Sequence, residues 1–354
     1  MKHHSFLITD KSNIRYLSNF TGSSGFMLII NGKSGKSGKK YLFTDFRYIE
    51  HAQKTIKKGI EIVDIAKMWR NKADLKKNWQ NLLKSHSIKN LGVEEGELTV
   101  SRYKRFKKIS PKVKFKDISG HFEEIREIKT KEEIALITKS QRINEKVFLE
   151  IEKIIKNHNF SRPLTEIEIA WKIKELGFKE SSEEVSFDPI VSFGKNSSIV
   201  HHSPTKAKLQ KNDIVLIDMG MKYHGYCSDM TRMILPKNAP PFMREIYDLV
   251  LKAQMAGINA IKAGTTGAKA DSLSRKIIEK SGYGEQYGHS GGHGIGLDIH
   301  EIPSLAESYK KPLRENSIIT VEPGIYLPGK FGVRIEDMVL VTKKGNICLT
   351  RVDK

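Results

Sequence analysis

The sequence has few cysteines and no long apolar run. Only two of its 354 residues are cysteines, Cys227 and Cys348, too few for a disulfide framework or for a zinc site made of thiolates alone. No run of about 18 apolar residues is present that could cross a bilayer as a helix. The first residues lack the pattern of a secretory signal, so we expect a soluble protein of the cytoplasm.

Acidic residues are outnumbered, with 41 Asp and Glu against 61 Lys and Arg, which gives a formal net charge of +20. An excess of this kind can bind nucleic acid, because Lys and Arg neutralise phosphates. The lysines occur along the whole chain, however, so we expect only weak, non-specific binding. The densest run, 33–40, lies between two apolar segments and is interpreted as a solvated hairpin loop, since it lacks the glycine spacing of a phosphate-binding loop.

The pattern of apolar residues predicts two domains. Residues 1–122 alternate short strands with helical stretches, near 72–85 and 99–108, which indicates a small α/β domain. Residues 123–354 combine amphipathic helices with β-branched strand segments, which indicates helices packed on an antiparallel sheet. The predicted fold class is therefore α+β.

Helix-start signals place the longer helices of the second domain. Capping boxes begin at Thr130 and at Thr165, where a glutamate follows three residues later. Pro240 marks the start of a third helix. The second and third helices are predicted to end at Gly177 and Gly264, because glycine commonly terminates helices.

Four acidic residues interrupt segments that otherwise have the composition of buried strands. They are Asp218, Asp229, Glu322 and Glu336. Any one of them could be a carboxylate at a strand end that faces water. Their arrangement in two pairs favours a different interpretation.

Hairpin register predicts that these carboxylates face each other. If 223–224 is a two-residue turn, Asp218 lies opposite Asp229, and a three-residue loop at 328–330 would pair the two glutamates in the same way. Each pair would then have Cβ atoms about 5 Å apart, where like charges repel unless a cation lies between them. Two such pairs predict bound metal.

The glycine-rich segment GHSGGHGIGLDIH contains His289, His293 and His300. A histidine in such a loop is either a hydrogen-bonded structural residue or a fifth ligand. Four carboxylates and one imidazole would neutralise two divalent cations, and this mixed set suits manganese, cobalt, iron or zinc better than calcium or magnesium. Two such ions about 3.5 to 4 Å apart can activate water and polarise a carbonyl, which is hydrolytic chemistry.

The order Asp, Asp, His, Glu, Glu, carried on LIDMG, SDMTR, GGHGIGLDIHE, VEPGIY and RIED, resembles the pita-bread metallopeptidases. This family includes methionine aminopeptidase, prolidase and aminopeptidase P. The resemblance covers 123–354, and NIRYLSNFTGSSG and LFTDFRY extend it to 1–122, where they are similar to bacterial proline-specific members. It implies a creatinase/prolidase-like N-terminal domain followed by a pita-bread domain, in which helices pack on a curved antiparallel sheet.

The resemblance also implies a ligand set. Asp218 and Asp229 would bind the ions, with Asp229 bridging them. His293 would bind one ion alone, and Glu322 and Glu336 would complete the cage.

Further residues of the substrate pocket are implied in the same way. His201 matches the family histidine that lines the pocket, and His300 the one that contacts the scissile carbonyl or the proline side. His289 and Arg334 match other pocket residues, although both are also explained as support for the ligands. Because His202 directly follows His201, the choice between these two stays open.

The implied function is hydrolysis of the Xaa-Pro bond at the N-terminus of peptides, by a homodimer with two divalent ions per subunit, manganese first. The alternative is an Xaa-Pro dipeptidase, or prolidase. The extra N-terminal domain disfavours methionine aminopeptidase. A catalytically silent module that binds nucleic acid or protein is the remoter alternative, since all five ligand types are present.

Overall fold

The computed structural model describes residues 5–31, 38–68 and 72–354. The chain forms two compact units, Met1–Ile125 and Arg126–Lys354. The sequence predicts the division after residue 122, and those domain limits stay a prediction. In the described part of the chain, no helix is both long and apolar enough to cross a membrane.

The first unit is built on one mixed six-stranded sheet with the order β4-β3-β2-β1-β5-β6. Its strands are β1 Ser5–Ile8, β2 Phe26–Ile30, β3 Lys39–Thr44, β4 Ile60–Asp64, β5 Asn90–Val93 and β6 Lys114–Asp117, and the helices up to the unit's end are α1 Lys11–Ser18, α2 Phe46–Thr55, α3 Ile65–Met68, α4 Lys72–Ser85, α5 Val100–Ile109 and α6 His121–Arg126. Strands β2 and β3 pair antiparallel, as the hairpin interpretation requires, but most of the lysine-rich run between them lies outside the described residues. The α4 and α5 helices agree with the predicted stretches.

The second unit packs helices on antiparallel sheets. Its helices are α7 Lys131–Lys156, α8 Glu166–Lys179, α9 Pro241–Ala260 and α10 Gly267–Lys280. Its strands are β7 Glu184–Val185, β8 Ile190–Phe193, β9 Val215–Met219, β10 Met221–Tyr223, β11 Tyr226–Cys227, β12 Met230–Ile234, β13 Gly292–Gly294, β14 Glu301–Leu305, β15 Ile318–Val321, β16 Gly324–Leu327, β17 Phe331–Arg334, β18 Asp337–Val341 and β19 Asn346–Cys348. Two of its sheets have the orders β12-β9-β8 and β14-β13-β15-β18-β19.

Both predicted capping boxes are present, at Thr130 and Thr165. The predicted helix ends are wrong. Helix α8 continues through Gly177 to Lys179, and this glycine instead permits close packing, since a Cβ there would lie 2.7 Å from the sulfur of Met221. Helix α9 ends at Ala260, before Gly264.

The predicted register of the first hairpin is also wrong. The turn is His224-Gly225, one residue later than predicted, and both residues have positive φ, at 49° and 81°, as the favoured two-residue hairpin turns require. Asp218 therefore pairs with Thr231, and Asp229 lies two residues before Thr231 in the sequence. The two aspartates are diagonal neighbours rather than opposite each other.

The second hairpin has the predicted three-residue loop. Gly324 pairs with Arg334, and the next ladder continues in the same register, with Val321 opposite Asp337. The strands are interrupted between these two ladders. Glu322 and Glu336 occupy this interruption, where irregular backbone turns both side chains toward the same cavity.

Candidate metal centre

A cavity of about 430 Å³ in the second unit collects all of the predicted site residues. Its walls include Asp218, Asp229, His293, Glu322 and Glu336, together with His201, His289, His300 and Arg334. His202 also lines this cavity. Residues more than 130 positions apart in the sequence therefore face one space.

Breaks in the strands place three of the four carboxylates, whereas Asp218 lies within β9. Asp229 lies between β11 and β12, and Glu336 lies between β17 and β18. One ligand atom each from Asp229, His293 and Glu336 lies within 4.8 Å of the others. The Nε2 atom of His293 is 3.6 Å from Asp229 Oδ2 and 3.4 Å from Glu322 Oε1. This spacing leaves room for a cation among the donors.

The four carboxylates lie close enough to repel one another, so they require positive charge nearby if all of them are ionised. Burial, and then the charges of Glu336, Asp218 and Glu322, raise the pKa of Asp229 well above its ordinary value. Burial is also the main cause that raises the pKa of Glu322 from 4.5 to about 7, and burial with the charge of Glu322 raises that of Glu336. Ionised together, these groups require cations.

Two carboxylate oxygens lack partners that buried oxygens ordinarily have. Oδ1 of Asp218 and Oδ1 of Asp229 are buried, and no hydrogen-bond donor of a described residue reaches them. Buried polar atoms are normally hydrogen-bonded, so these two are suited to another electropositive partner. The donor set therefore fits divalent metal ions.

Arg334 holds one of the aspartates in place. Its buried guanidinium donates from Nη2 to Asp218 Oδ2 at 2.6 Å, from Nη1 to the Tyr326 hydroxyl at 2.8 Å and from Nε to Thr231 Oγ1 at 3.2 Å. Thr231 in turn donates to Glu336 Oε2 at 2.8 Å. The sequence patterns did not predict Thr231 or Tyr326 as residues of the site, although the correct hairpin register would have placed Thr231 opposite Asp218.

Close backbone packing orients His293. Gly292 has φ of 152°, and a Cβ at this position would lie 2.0 Å from the carbonyl oxygen of Thr320, so glycine is required where β13 approaches β15. The Nδ1 atom of His293 is 3.0 Å from the carbonyl oxygen of Gly294. Its Nε2 atom is therefore the one presented to the carboxylates.

Two further histidines, His300 and His289, line the same cavity. The ring of His300 packs edge-on against that of His293, with 4.4 Å between centroids. His289 Nε2 lies 3.0 Å from the Tyr326 hydroxyl. Burial first, and then the charge of Arg334, lower the pKa of His289 to about 4, which leaves this ring neutral at pH 7.

His201 and His202 differ in their surroundings. His202 is buried, and its Nε2 atom lies 2.9 Å from Glu166 Oε2. His201 is exposed at the cavity. The sequence does not distinguish the two histidines, whereas in the structure only His202 is hydrogen-bonded to the buried carboxylate of Glu166.

Helices packed on antiparallel sheets around a cage of carboxylates and an imidazole define a metal-dependent hydrolase. The model of Metallopeptidase family M24 matches residues 135–343, and that of the Creatinase/Prolidase N-terminal domain matches residues 2–128. The chain belongs to the metallopeptidase family M24. This confirms the pita-bread resemblance, the two-domain architecture and the assignment as a metallopeptidase, an enzyme class that acts on peptides with divalent metal ions.

Relatives with named activities match over most of their lengths. The Xaa-Pro dipeptidase of Pyrococcus furiosus is 40% identical over 265 residues, which cover 75% of this chain and 74% of that protein. The structure of an Xaa-Pro dipeptidase from Bacillus anthracis superposes with a TM-score of 0.89 at 39% identity and covers 99% of this chain and 94% of its own. The X-Pro aminopeptidase of Thermotoga maritima gives 0.87 at 33% identity, with 99% and 96% covered.

Proposed function

We propose that this metallopeptidase hydrolyses the Xaa-Pro bond at the N-terminus of peptides, as aminopeptidase P does. The observation that supports the proposal is the convergence of four repelling carboxylates and one imidazole on a cavity that further histidines also line. The proposed ligands are Asp218, Asp229, His293, Glu322 and Glu336. The proposed substrate contacts are His201, His289, His300 and Arg334.

The proposal gives each group in the cavity a role. When bound, divalent ions at the five ligands supply the Lewis-acid chemistry of hydrolysis. Arg334 keeps Asp218 oriented, and neutral His289 hydrogen-bonds to Tyr326 on the same side. His300, beside His293, is placed to donate a hydrogen bond to the oxygen of the scissile carbonyl as charge develops there. His201, which lines the same cavity, is assigned a contact with the peptide.

The names of the relatives support specificity for proline, and they include both aminopeptidases and dipeptidases. The alternative function is therefore an Xaa-Pro dipeptidase with the same metal centre. The two differ in whether the peptide continues beyond proline. Two ions per subunit, manganese before cobalt, zinc or iron, a homodimer and a cytoplasmic location complete the proposal.

A comparison of three substrates tests this proposal. Hydrolysis of Ala-Pro-Ala, Ala-Pro and Ala-Ala is followed with manganese present, and metal content is measured by elemental analysis. Preference for Ala-Pro-Ala over both Ala-Pro and Ala-Ala, with about two ions per chain, is the expected result. Preference for Ala-Pro supports the dipeptidase. The absence of peptide cleavage together with tight, salt-dependent nucleic-acid binding would show that the silent binding module is correct.

A further inference from the structure

Glu166 is a fully buried carboxylate outside the metal cavity that accepts five hydrogen bonds. Its Oε1 atom accepts from Phe193 N at 2.8 Å and from Asn196 Nδ2 at 2.9 Å. Its Oε2 atom accepts from His202 Nε2 at 2.9 Å, from Thr205 N at 2.9 Å and from Thr205 Oγ1 at 2.7 Å. All of these donors belong to the end of β8 and to the segment that follows it.

These contacts keep Glu166 ionised. Burial alone would raise its pKa, but the hydrogen bonds from His202, Thr205 and Asn196 hold the pKa below its ordinary value. A carboxylate can only accept, so His202 must carry its hydrogen on Nε2. The ring of His202 is thereby fixed in one orientation.

The segment held by Glu166 is the one that carries His201. On its other side, Arg334 Nη1 donates to the carbonyl oxygen of Val200 at 3.3 Å, and Gly332 N donates to Ser197 Oγ at 2.9 Å. His201 itself has no side-chain hydrogen bond to a described residue. Its position therefore depends on its anchored neighbours, Val200 on one side and His202 on the other.

We propose that Glu166 and His202 are positioning residues, which hold the segment 194–205 so that His201 projects into the metal cavity. Among the described contacts, no hydrogen bond joins either residue to a predicted metal ligand, and Glu166 lies at the first position of α8. The inference rests on the proposed role of His201 as a substrate contact. It explains why a second histidine, buried against a carboxylate, adjoins the first.

The decisive variant is Glu166→Gln. Both oxygens of Glu166 accept hydrogen bonds, so an amide nitrogen in either place would face donors instead of accepting from them. Displacement of a catalytic group by about 1 Å can cost on the order of a hundredfold in rate. We expect kcat/KM for Xaa-Pro peptides to fall roughly tenfold or more, with metal content unchanged.

Two matched variants separate positioning from a general loss of structure. His202→Gln keeps a donor for Glu166 and should retain most activity, whereas His202→Leu should lose as much as Glu166→Gln. Glu168→Gln, an exposed change in the same helical turn, should leave the kinetics at the wild-type level. If Glu166→Gln does not fold, the two His202 variants decide.

A double-mutant cycle with His201→Ala supplies the sharpest test. If Glu166 acts through His201, then Glu166→Gln should cause less than about a twofold further loss once His201 is alanine. Losses that multiply, or wild-type kinetics in folded Glu166→Gln, would overturn the positioning role. A wild-type protein that cleaves no Xaa-Pro peptide would instead refute the proposed function, so the two failures are distinguishable.

Discussion

Removal of metal should make the stability of the second unit strongly dependent on pH. Without cations, the repelling carboxylates relieve their repulsion by binding protons. The pKa of Glu322 is raised from 4.5 to about 7 in the folded chain. The stabilisation that the protonated Glu322 side chain gives the folded chain is therefore complete below about pH 4.5, and it is lost as the pH rises through about 7.

The size of the effect follows from that difference. At about 1.4 kcal/mol for each pH unit, the interval from 4.5 to about 7 corresponds to about 3 kcal/mol from Glu322 alone. The raised pKa values of Asp229 and Glu336 act in the same direction. For a unit of this size, about 3 kcal/mol shifts the melting temperature by roughly 6 to 12 °C.

Calorimetry of chelator-treated protein at pH 5 and pH 8 measures this dependence. His289 acts in the opposite direction, because its folded pKa is lowered to about 4 and its contribution is lost at low pH. Glu322→Gln isolates the carboxylate, and this variant should lose less stability than the wild type between the two pH values. Addition of manganese should restore the stability of the wild-type protein at pH 8. Equal pH dependence of wild type and variant would refute the reasoning.

Three further predictions concern the cavity and its support. His300→Ala should keep its metal and lose about a hundredfold in kcat, whereas His293→Ala should lose metal and activity together, as elemental analysis and peptide assays will show. Asp337→Asn should lower the free energy of unfolding by about 3 to 5 kcal/mol in urea, because it leaves the buried Arg232 without its charged partner at 2.7 Å. Gly292→Ala should reduce both the melting temperature and metal binding, and an unchanged crystal structure of this variant with full metal content would contradict that reasoning.

Local chemistry in the sequence accounts for much of the fold. The capping boxes at Thr130 and Thr165 form as predicted, since a cap depends only on residues within one helical turn. The three-residue loop at 328–330 and its register are also correct, because proline and glycine define that turn locally. The predicted helix end at Gly177 is wrong, since packing against Met221 requires a glycine inside α8.

The sequence by itself was sufficient to identify the candidate metal ligands, because carboxylates within apolar strand segments are unusual wherever they occur. Only the tertiary structure decided how they meet. Asp218 and Asp229 are not opposite each other, since the glycine in the turn at 224–225 shifts the ladder. The buried partner of His202 lies 36 positions away in the sequence, at Glu166, and no local pattern links the two. Such contacts depend on how β8 and α8 pack, which a one-dimensional pattern does not contain.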